Sequence, residues 1–405
     1  MNQFKLGLIK EGKVPPDKRV ALSPDQCVLV QKKFPNVKVV VQPSPIRCFT
    51  DQQYLDAGIA MQEDLSDCDV LMGIKEVKVE DLIPNKKYLF FSHTFKKQPY
   101  NRALLQAILD KNIQLIDYEI LKNLAGKRLI GFGRYAGIVG CYNGFRLLGL
   151  KHKLYALKPA HECHDRVELE EELKKVVLPA STKIVLSGFG RVGHGAREIL
   201  DLLPIVEVSP EEYLQREFNQ AVFTQLEAED YYVRKDGAAF EKSDFYKNGT
   251  DYKSKFIDYA KQSDMYVACH YWANSNPLIL TAPEIEIAAS RLKVISDVSC
   301  DIKGPIASTL RPSTIANPFY GYDPKSGTEC DAFDVDAVAV MAVDNLPCEL
   351  PKDASEDFGN ELLKYILSPL IVEDPENVIG RGSETNLNGE LTESYQYLQA
   401  YLENK

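Results

Sequence analysis

"KIVLSGFGRVGHGAREIL", Lys183 to Leu200, joins an apolar run rich in branched residues to a glycine-rich turn and then to a helix-forming stretch. Gly188, Gly190 and Gly193 stand in GxGxxG spacing, with Arg191 and Val192 between the last two. Glycines there allow a tight turn and close approach of backbone to a pyrophosphate, and the free N–H groups at a helix start supply a positive end. The triplet alone is a weak signal. Strand, turn and helix in that order predict a Rossmann-like domain that binds a dinucleotide. Glu207, nineteen residues beyond Gly188 in "LPIVEV", is predicted to accept both ribose hydroxyls and repel a 2′-phosphate, which favours NAD over NADP.

Outward from that loop, short strand-like runs alternate with helix-length segments. "FKLGLI", "VKVVVQ", "DVLMGIK", "KYLFFSH", "IQLIDYE" and "RLIGFG" precede it, and "LPIVEV", "DMYVACHYW" and "LKVISDVSC" follow. Such alternation implies parallel βαβ units. The expected fold is α/β, with two Rossmann-like domains and a cleft between them. The first spans 1–135 and is completed by 316–405; the second spans 136–315 and carries an insertion at 209–262 that reads as a lid or partner surface. "RYAGIVGCYNG", Arg134 to Gly144, is expected to be the hinge. "ASEDFGNELLKYILSPLIV" reads as a terminal helix.

The net charge of -10 over 405 residues, without a block of basic residues, argues against a nucleic-acid partner. The start "MNQFKLGLIKEGK" has no apolar leader pattern, and no run approaches the roughly 18 apolar residues of a membrane span, so a cytoplasmic protein without a membrane partner is expected. Nine cysteines form no CxxC pair, which predicts reduced thiols. "HECH", His161 to His164, crowds metal-binding residue types but fits no closed four-ligand pattern, so no metal is expected.

The nucleotide loop accounts for half the chemistry. A dehydrogenase also needs anchors for its substrate and a group that handles a proton. Ionisable residues recur where the runs of the first half end: Lys10, Glu11 and Arg19; Lys75 and Glu76; His93 and Lys96; Asp117 and Glu119; Arg128 and Arg134. Ligands of open α/β sheets bind outside the carboxyl ends of strands, so these residues can converge. Cations suited to carboxylates mixed with acids suited to amines point to an amino-acid or 2-oxo-acid substrate. An imidazole exchanges protons near neutral pH, and an amine does so where desolvation or nearby charge lowers its pKa, which makes His93 and Lys75 the proton-handling candidates.

"KEGKVPPDKRVALSP", "GIKE", "FFSHTFK", "LIDYE" and "GKRLIGFGRYAGIVG", followed by "ISDVSCDIKG" and "VDNLPCELP", resemble the lysine-forming saccharopine dehydrogenases, and especially the lysine–ketoglutarate reductase half of bifunctional lysine-degrading enzymes. The resemblance covers essentially the whole chain, within a superfamily that includes alanine dehydrogenase and the transhydrogenase NAD-binding subunit. It implies that Lys75 and His93 form the acid–base pair, that Glu76 and Glu119 tune the lysine and receive the substrate amines, and that Arg19 and Arg128 hold carboxylates. It also implies that Asp297 and Asp301 lie near the nicotinamide. The implied reaction interconverts saccharopine with lysine and 2-oxoglutarate. The glutamate-forming half is not expected within this length; either a separate partner enzyme supplies it, or the substrate has diverged while the scaffold has not. An alanine- or opine-type dehydrogenase and a non-catalytic nucleotide-binding subunit are the alternatives.

Overall fold

The computed structural model describes residues 3–403. The chain forms two compact units, one built from the residues up to Phe132 together with those from Pro351 onward, the other from Gly133–Leu350.

The first unit holds six strands: β1 (Phe4–Leu8), β2 (Val37–Val41), β3 (Ala60–Met61), β4 (Val70–Met72), β5 (Lys87–Phe90) and β6 (Gln114–Asp117). They pair in the order β3-β2-β1-β4-β5-β6, all parallel. Apolar β-branched runs such as VKVVV suit strands covered on both faces. The first helix, Pro24–Lys33, starts where Ser23 and Gln26 cap each other reciprocally, with Pro24 at its first position. Chain direction across the sheet reverses between β1 and β4, the place where open α/β sheets receive ligands.

The predicted strand "RLIGFG" does not form. Arg128 makes one isolated bridge to Lys122, and Gly133 already begins a helix. Residues from Pro351 return to this unit. Phe358, Leu362, Ile366 and Leu367 pack among the apolar residues of β1, β2 and β4. The expected terminal helix is broken into Pro351–Glu361, a wider π turn at Leu362–Ile366, and Leu367–Ile371. Pro369 has no N–H and its ring crowds the carbonyl four residues back, which accounts for the widened turn before it. Further on, the 382–385 stretch runs along β6. Asp117 N donates to Gly382 O at 3.1 Å and Glu384 N to Leu115 O at 2.9 Å, which covers a sheet edge.

The second unit holds β7 (Lys183–Ser187), β8 (Val206–Glu207), β9 (Val222–Leu226), β10 (Tyr232–Arg234), β11 (Tyr252–Ser254), β12 (Met265–Ala268), β13 (Val294–Asp297), β14 (Phe319–Tyr322), β15 (Glu329–Cys330) and β16 (Val338–Met341). Eight of them form one sheet in the order β15-β14-β16-β13-β12-β7-β9-β8, and β10 and β11 pair as a separate ribbon. Two boundaries differ from the sequence reading. The 316–350 stretch does not complete the first unit, because β14 and β16 extend the second unit's sheet beside β13. The 209–262 stretch is not wholly an insertion, because β9 is a fully buried strand lying between β7 and β8.

The expected hinge at 134–144 lies inside the 20-residue helix Gly133–His152, which is buried along most of its length. It packs on the helix Arg191–Leu200 with the two backbones in contact. A Cβ on Gly137 would sit 1.9 Å from Val192 O, and one on Gly195 would sit 1.9 Å from Arg134 O. The chain therefore changes units at Phe132/Gly133 and Leu350/Pro351. Among the described residues no helix is long and apolar enough to cross a membrane.

Candidate active site

In the first unit the ionisable residues gather outside the carboxyl ends of β1, β4, β5 and β6. Glu11, just past β1, is partly buried and braces the exit of β4: its two oxygens accept from Ile74 N at 2.6 Å and Lys75 N at 2.9 Å. Burial lifts its carboxyl to about 7, against the pull of those two amides. Lys75 and Glu76 border a cavity of about 210 Å³ together with Lys10, Glu11, Gln42 and Tyr88.

Glu76 reaches from this exit to the next. Its Oε1 lies 2.7 Å from His93 Nδ1, and its Oε2 lies 3.3 Å from Lys13 Nζ. Burial opposes ionisation of Glu76, but the hydrogen bond from His93 and the Lys13 charge prevail and hold it at about 2. A permanently ionised acceptor at Nδ1 orients the ring and leaves Nε2 to face outward. His93 Nε2 lies 3.7 Å from Glu119 Oε2, which also takes Lys96 Nζ at 2.8 Å. Arg128 Nη1 is 3.9 Å from Glu119 Oε1, and its guanidinium stacks 5.5 Å from the Phe91 ring. Glu76, His93, Glu119, Lys96 and Arg128 thus form one chain of contacts with Lys75 beside it.

Arg19 is placed differently. It is 3% exposed, and it grips Asp17 with Nε–Oδ1 at 3.0 Å and Nη2–Oδ2 at 2.6 Å while lying 4.2 Å over the Phe132 ring. Burial resists ionisation of Asp17, yet the Arg19 charge and hydrogen bonds bring it down to about 2. The pair borders a small pocket together with Lys10 and Glu11. Arg134 is bidentate with Glu198 in the second unit, at 2.6 and 2.8 Å.

Beneath His93 lies a buried network that joins Asp117, singled out in the sequence, to Ser92, Thr94 and Glu384, which were not. Asp117 Oδ2 accepts from Ser92 N at 2.8 Å, Ser92 Oγ at 2.6 Å and His93 N at 3.2 Å, and its Oδ1 accepts from Glu119 N at 2.7 Å. Glu384 lies 3.1 Å from Ser92 Oγ, and its Oε2 accepts from Thr94 Oγ1 at 2.8 Å. His93 sits in the left-handed region, φ 55°, ψ 11°, which a non-glycine residue adopts only when its surroundings impose it. Three backbone N–H groups reach Asp117 and, among the described residues, none reaches Glu384's carboxylate, which favours the proton of this pair on Glu384. Burial and the neighbouring Asp117 charge push its carboxyl up to about 8.

In the second unit the glycine loop follows β7. Gly188 has φ +98°, and a Cβ on Gly193 would lie 2.0 Å from Gly188 O, whereas nothing lies within 4 Å of a Cβ built on Gly190. The loop is closed on itself beneath and open above, and the helix Arg191–Leu200 begins directly after it. A cavity of about 490 Å³ is lined by Gly188, Gly190, Arg191, Val192, Glu227 and Lys242, among others.

Glu207 ends β8, one strand further from β7 than expected, and is held by Arg197 through two 2.7 Å contacts. The carboxylate at the end of β9, the strand beside β7, is Glu227, which pairs with Lys242 Nζ at 2.8 Å. Its signal in the sequence is the apolar run "AVFTQLE", hidden because β8 intervenes in the chain. Asp297 was expected beside the nicotinamide but is fully buried. Its Oδ1 accepts from Ser299 Oγ at 2.5 Å and from Ser299 N and Cys300 N at 3.1 Å, and its Oδ2 accepts from Thr309 Oγ1 at 2.6 Å, so it shapes the turn after β13. Asp301, in the same turn, is half-buried; burial and then the Asp297 charge raise it to about 6. Of the "HECH" residues, His161 lies 3.7 Å from Glu349 and His164 lies 2.9 Å from Asp165. Among the described residues no three His, Cys, Asp or Glu side chains are grouped to hold a metal ion.

Residues 7–139 match the family described as alanine dehydrogenase/PNT, N-terminal domain. The alpha-aminoadipic semialdehyde synthase of Arabidopsis thaliana is 30% identical over 94% of this chain and 40% of its own length. The mitochondrial enzyme of the same name from Rattus norvegicus is 29% identical over 96% of the chain and 47% of its length. A saccharopine dehydrogenase [NAD(+), L-lysine-forming] from Yarrowia lipolytica is 25% identical over 82% of the chain and 83% of its length. Over most of its length the chain is thus similar to aminoadipic semialdehyde synthases and to a saccharopine dehydrogenase. It spans less than half the length of the synthases it matches. In fold it is similar to an L-alanine dehydrogenase, with TM-score 0.67, 17% identity and 98% of this chain and 100% of that chain covered. A transhydrogenase from Sinorhizobium meliloti has TM-score 0.58, 14% identity and coverage of 96% and 98%.

Proposed function

We propose that this chain is an NAD(P)-dependent dehydrogenase acting on a C–N bond, interconverting saccharopine with L-lysine and 2-oxoglutarate. The observation that carries the proposal is the oriented imidazole of His93, fixed by ionised Glu76 at Nδ1, with Lys75 adjoining and the Glu119, Lys96 and Arg128 group in front. Substrate carboxylates pair with Lys96 and Arg128, and a substrate amine pairs with Glu119. His93 Nε2 and the Lys75 amine are the two groups that move the proton at the substrate nitrogen and activate water. Each such transfer contributes about 10²–10⁴-fold.

The glycine loop fits a dinucleotide because its interior has no room for a Cβ at Gly193 while the face above Gly190 is open. Gly188 to Gly193 and the helix N-terminus would hold the pyrophosphate, and Glu227 or Glu207 the adenosine ribose. A nicotinamide held there supplies the hydride acceptor and donor. NAD is the proposed cofactor, with NADP the alternative, since either carboxylate disfavours a 2′-phosphate. A separate glutamate-forming enzyme is the proposed partner.

The test is a reductive panel with NADH and NADPH. Lysine with 2-oxoglutarate should consume reduced cofactor, whereas ammonia with pyruvate should not. Turnover only with ammonia and pyruvate together would assign an alanine-dehydrogenase-type activity, and cofactor binding without turnover on any amine and keto acid would make the chain a binding subunit.

A further inference from the structure

β12 lies beside β7 on the side away from β9, and the residues after it, Cys269 and His270, pass directly over the glycine loop. A Cβ on Gly188 would lie 2.4 Å from Cys269 O. His270 lines the same cavity as Gly188, Gly190 and Glu227 and is itself 6% exposed. Its Nδ1 is 3.3 Å from both Ser187 Oγ and Tyr266 Oη, which lie 2.9 Å from each other. Its Nε2 is buried and has no hydrogen-bond partner among the described residues. Buried polar atoms of folded proteins are almost always paired, so an orphan of this kind bordering a cavity marks a place where something else supplies the partner.

We infer that His270 Nε2 hydrogen-bonds an acceptor oxygen of the dinucleotide beside the glycine loop, on the side away from the adenosine. The inference rests on the dinucleotide reading of that loop. Burial drives the ring down to about 3, so the imidazole is neutral and carries one proton. One of the two hydroxyls donates to the other, and the second donates to Nδ1, which places the ring proton on Nε2 as a donor. The acceptor is an oxygen either of the pyrophosphate or of the ribose beyond it. No ionised group pairs with the ring, so the contact adds specificity for position without adding charge.

The test measures dissociation constants of AMP, ADP, ADP-ribose and NADH for the full chain and for His270→Phe and His270→Gln. His270→Phe keeps the ring shape without a donor, and the Gln amide places a donor near Nε2. His270→Phe should weaken NADH and ADP-ribose about tenfold and leave AMP within twofold, with His270→Gln recovering most of the loss. A loss already present with ADP assigns the pyrophosphate, and a loss first seen with ADP-ribose assigns the ribose. The His270 contribution should stay constant from pH 6 to pH 9, since the ring does not titrate there. In wild-type protein carrying ¹⁵N-histidine, NADH should shift the Nε2 resonance, a readout that needs no folded variant. Equal NADH affinity in His270→Phe and wild type, or an Nε2 signal unmoved by saturating NADH, overturns the inference while leaving the loop assignment standing. A wild-type chain that binds no dinucleotide overturns both.

Discussion

Replacing Glu384 by Gln isolates the buried proton beneath His93. Glu384 is almost wholly buried, faces Asp117 through the Ser92 hydroxyl, and receives only the Thr94 hydroxyl as a clear donor. The tyrosines 395, 397 and 401 from the same C-terminal segment lie around it and stay neutral, with their own ionisation pushed up. A carboxyl raised from 4.5 to about 8 in the folded protein binds its proton more tightly than the unfolded chain does. Stability is therefore greatest at acid pH for this group and falls as pH climbs from about 4.5 to about 8, flattening above. At about 1.36 kcal/mol per pH unit the whole span is about 5 kcal/mol, of which about 2 kcal/mol falls between pH 6 and pH 8. Gln keeps the shape of the protonated acid and does not titrate. Urea unfolding of wild type and Glu384→Gln, followed by far-UV circular dichroism at pH 6, 7 and 8, cancels the titrations the two share, including that of Glu11, which has the same sign. Relative to wild type, the variant should gain about 2 kcal/mol between pH 6 and pH 8. Parallel pH dependences would refute the assignment of the proton to Glu384.

His93→Gln should lower turnover by roughly 10²–10⁴-fold while leaving cofactor affinity unchanged, and Lys75→Met should lower the same step and remove one limb of the pH–rate profile; single-turnover kinetics check both. Gly193→Ala places a methyl group 2.0 Å from the Gly188 carbonyl, so NADH binding followed by fluorescence titration should weaken by more than about tenfold. Comparing NADH and NADPH affinities in Glu227→Gln and Glu207→Gln decides which carboxylate reads the ribose: the ratio should move toward NADPH in Glu227→Gln and stay near the wild-type value in Glu207→Gln, whose side chain Arg197 already occupies.

The two α/β units were legible because strand, loop and helix signals in them are local. "KIVLSGFGRVGHGA" states its structure within a few residues, and His93 and Glu76 could be placed at the ends of apolar runs one by one. Pairing between strands is not local. β9 slips between β7 and β8, so a spacing rule counted from Gly188 pointed to Glu207 when the adjoining strand ends at Glu227. "FYGYDP" and "DAVAVMAVDNLP" carry no mark of which sheet they join, and they extend the one beside β13. Asp297 entered as a site residue through the family resemblance, and local sequence does not show that Ser299 and Thr309 would take up its oxygens. Arg19 and Asp17, two positions apart, form a buried pair that spacing alone does not reveal.

The first unit is interrupted in the chain by the second, and this sets an order on biosynthesis. Ser92 and Thr94 leave the ribosome 292 and 290 residues ahead of the Glu384 they bind. At about 5–20 residues per second that delay is about fifteen seconds to a minute, ample for the contiguous Gly133–Leu350 stretch to fold first. During the delay β6 has an open edge, and Asp117 has the nascent His93 turn but not its acid partner. A fragment of residues 133–350 should therefore show cooperative unfolding on its own, whereas one ending at Leu350 should leave the amides of β5 and β6 exchanging freely. On the proposed function, the unit that would handle protons is the last to be finished, and newly made chains would pass through a stage with a complete glycine-loop unit before they could act on a substrate.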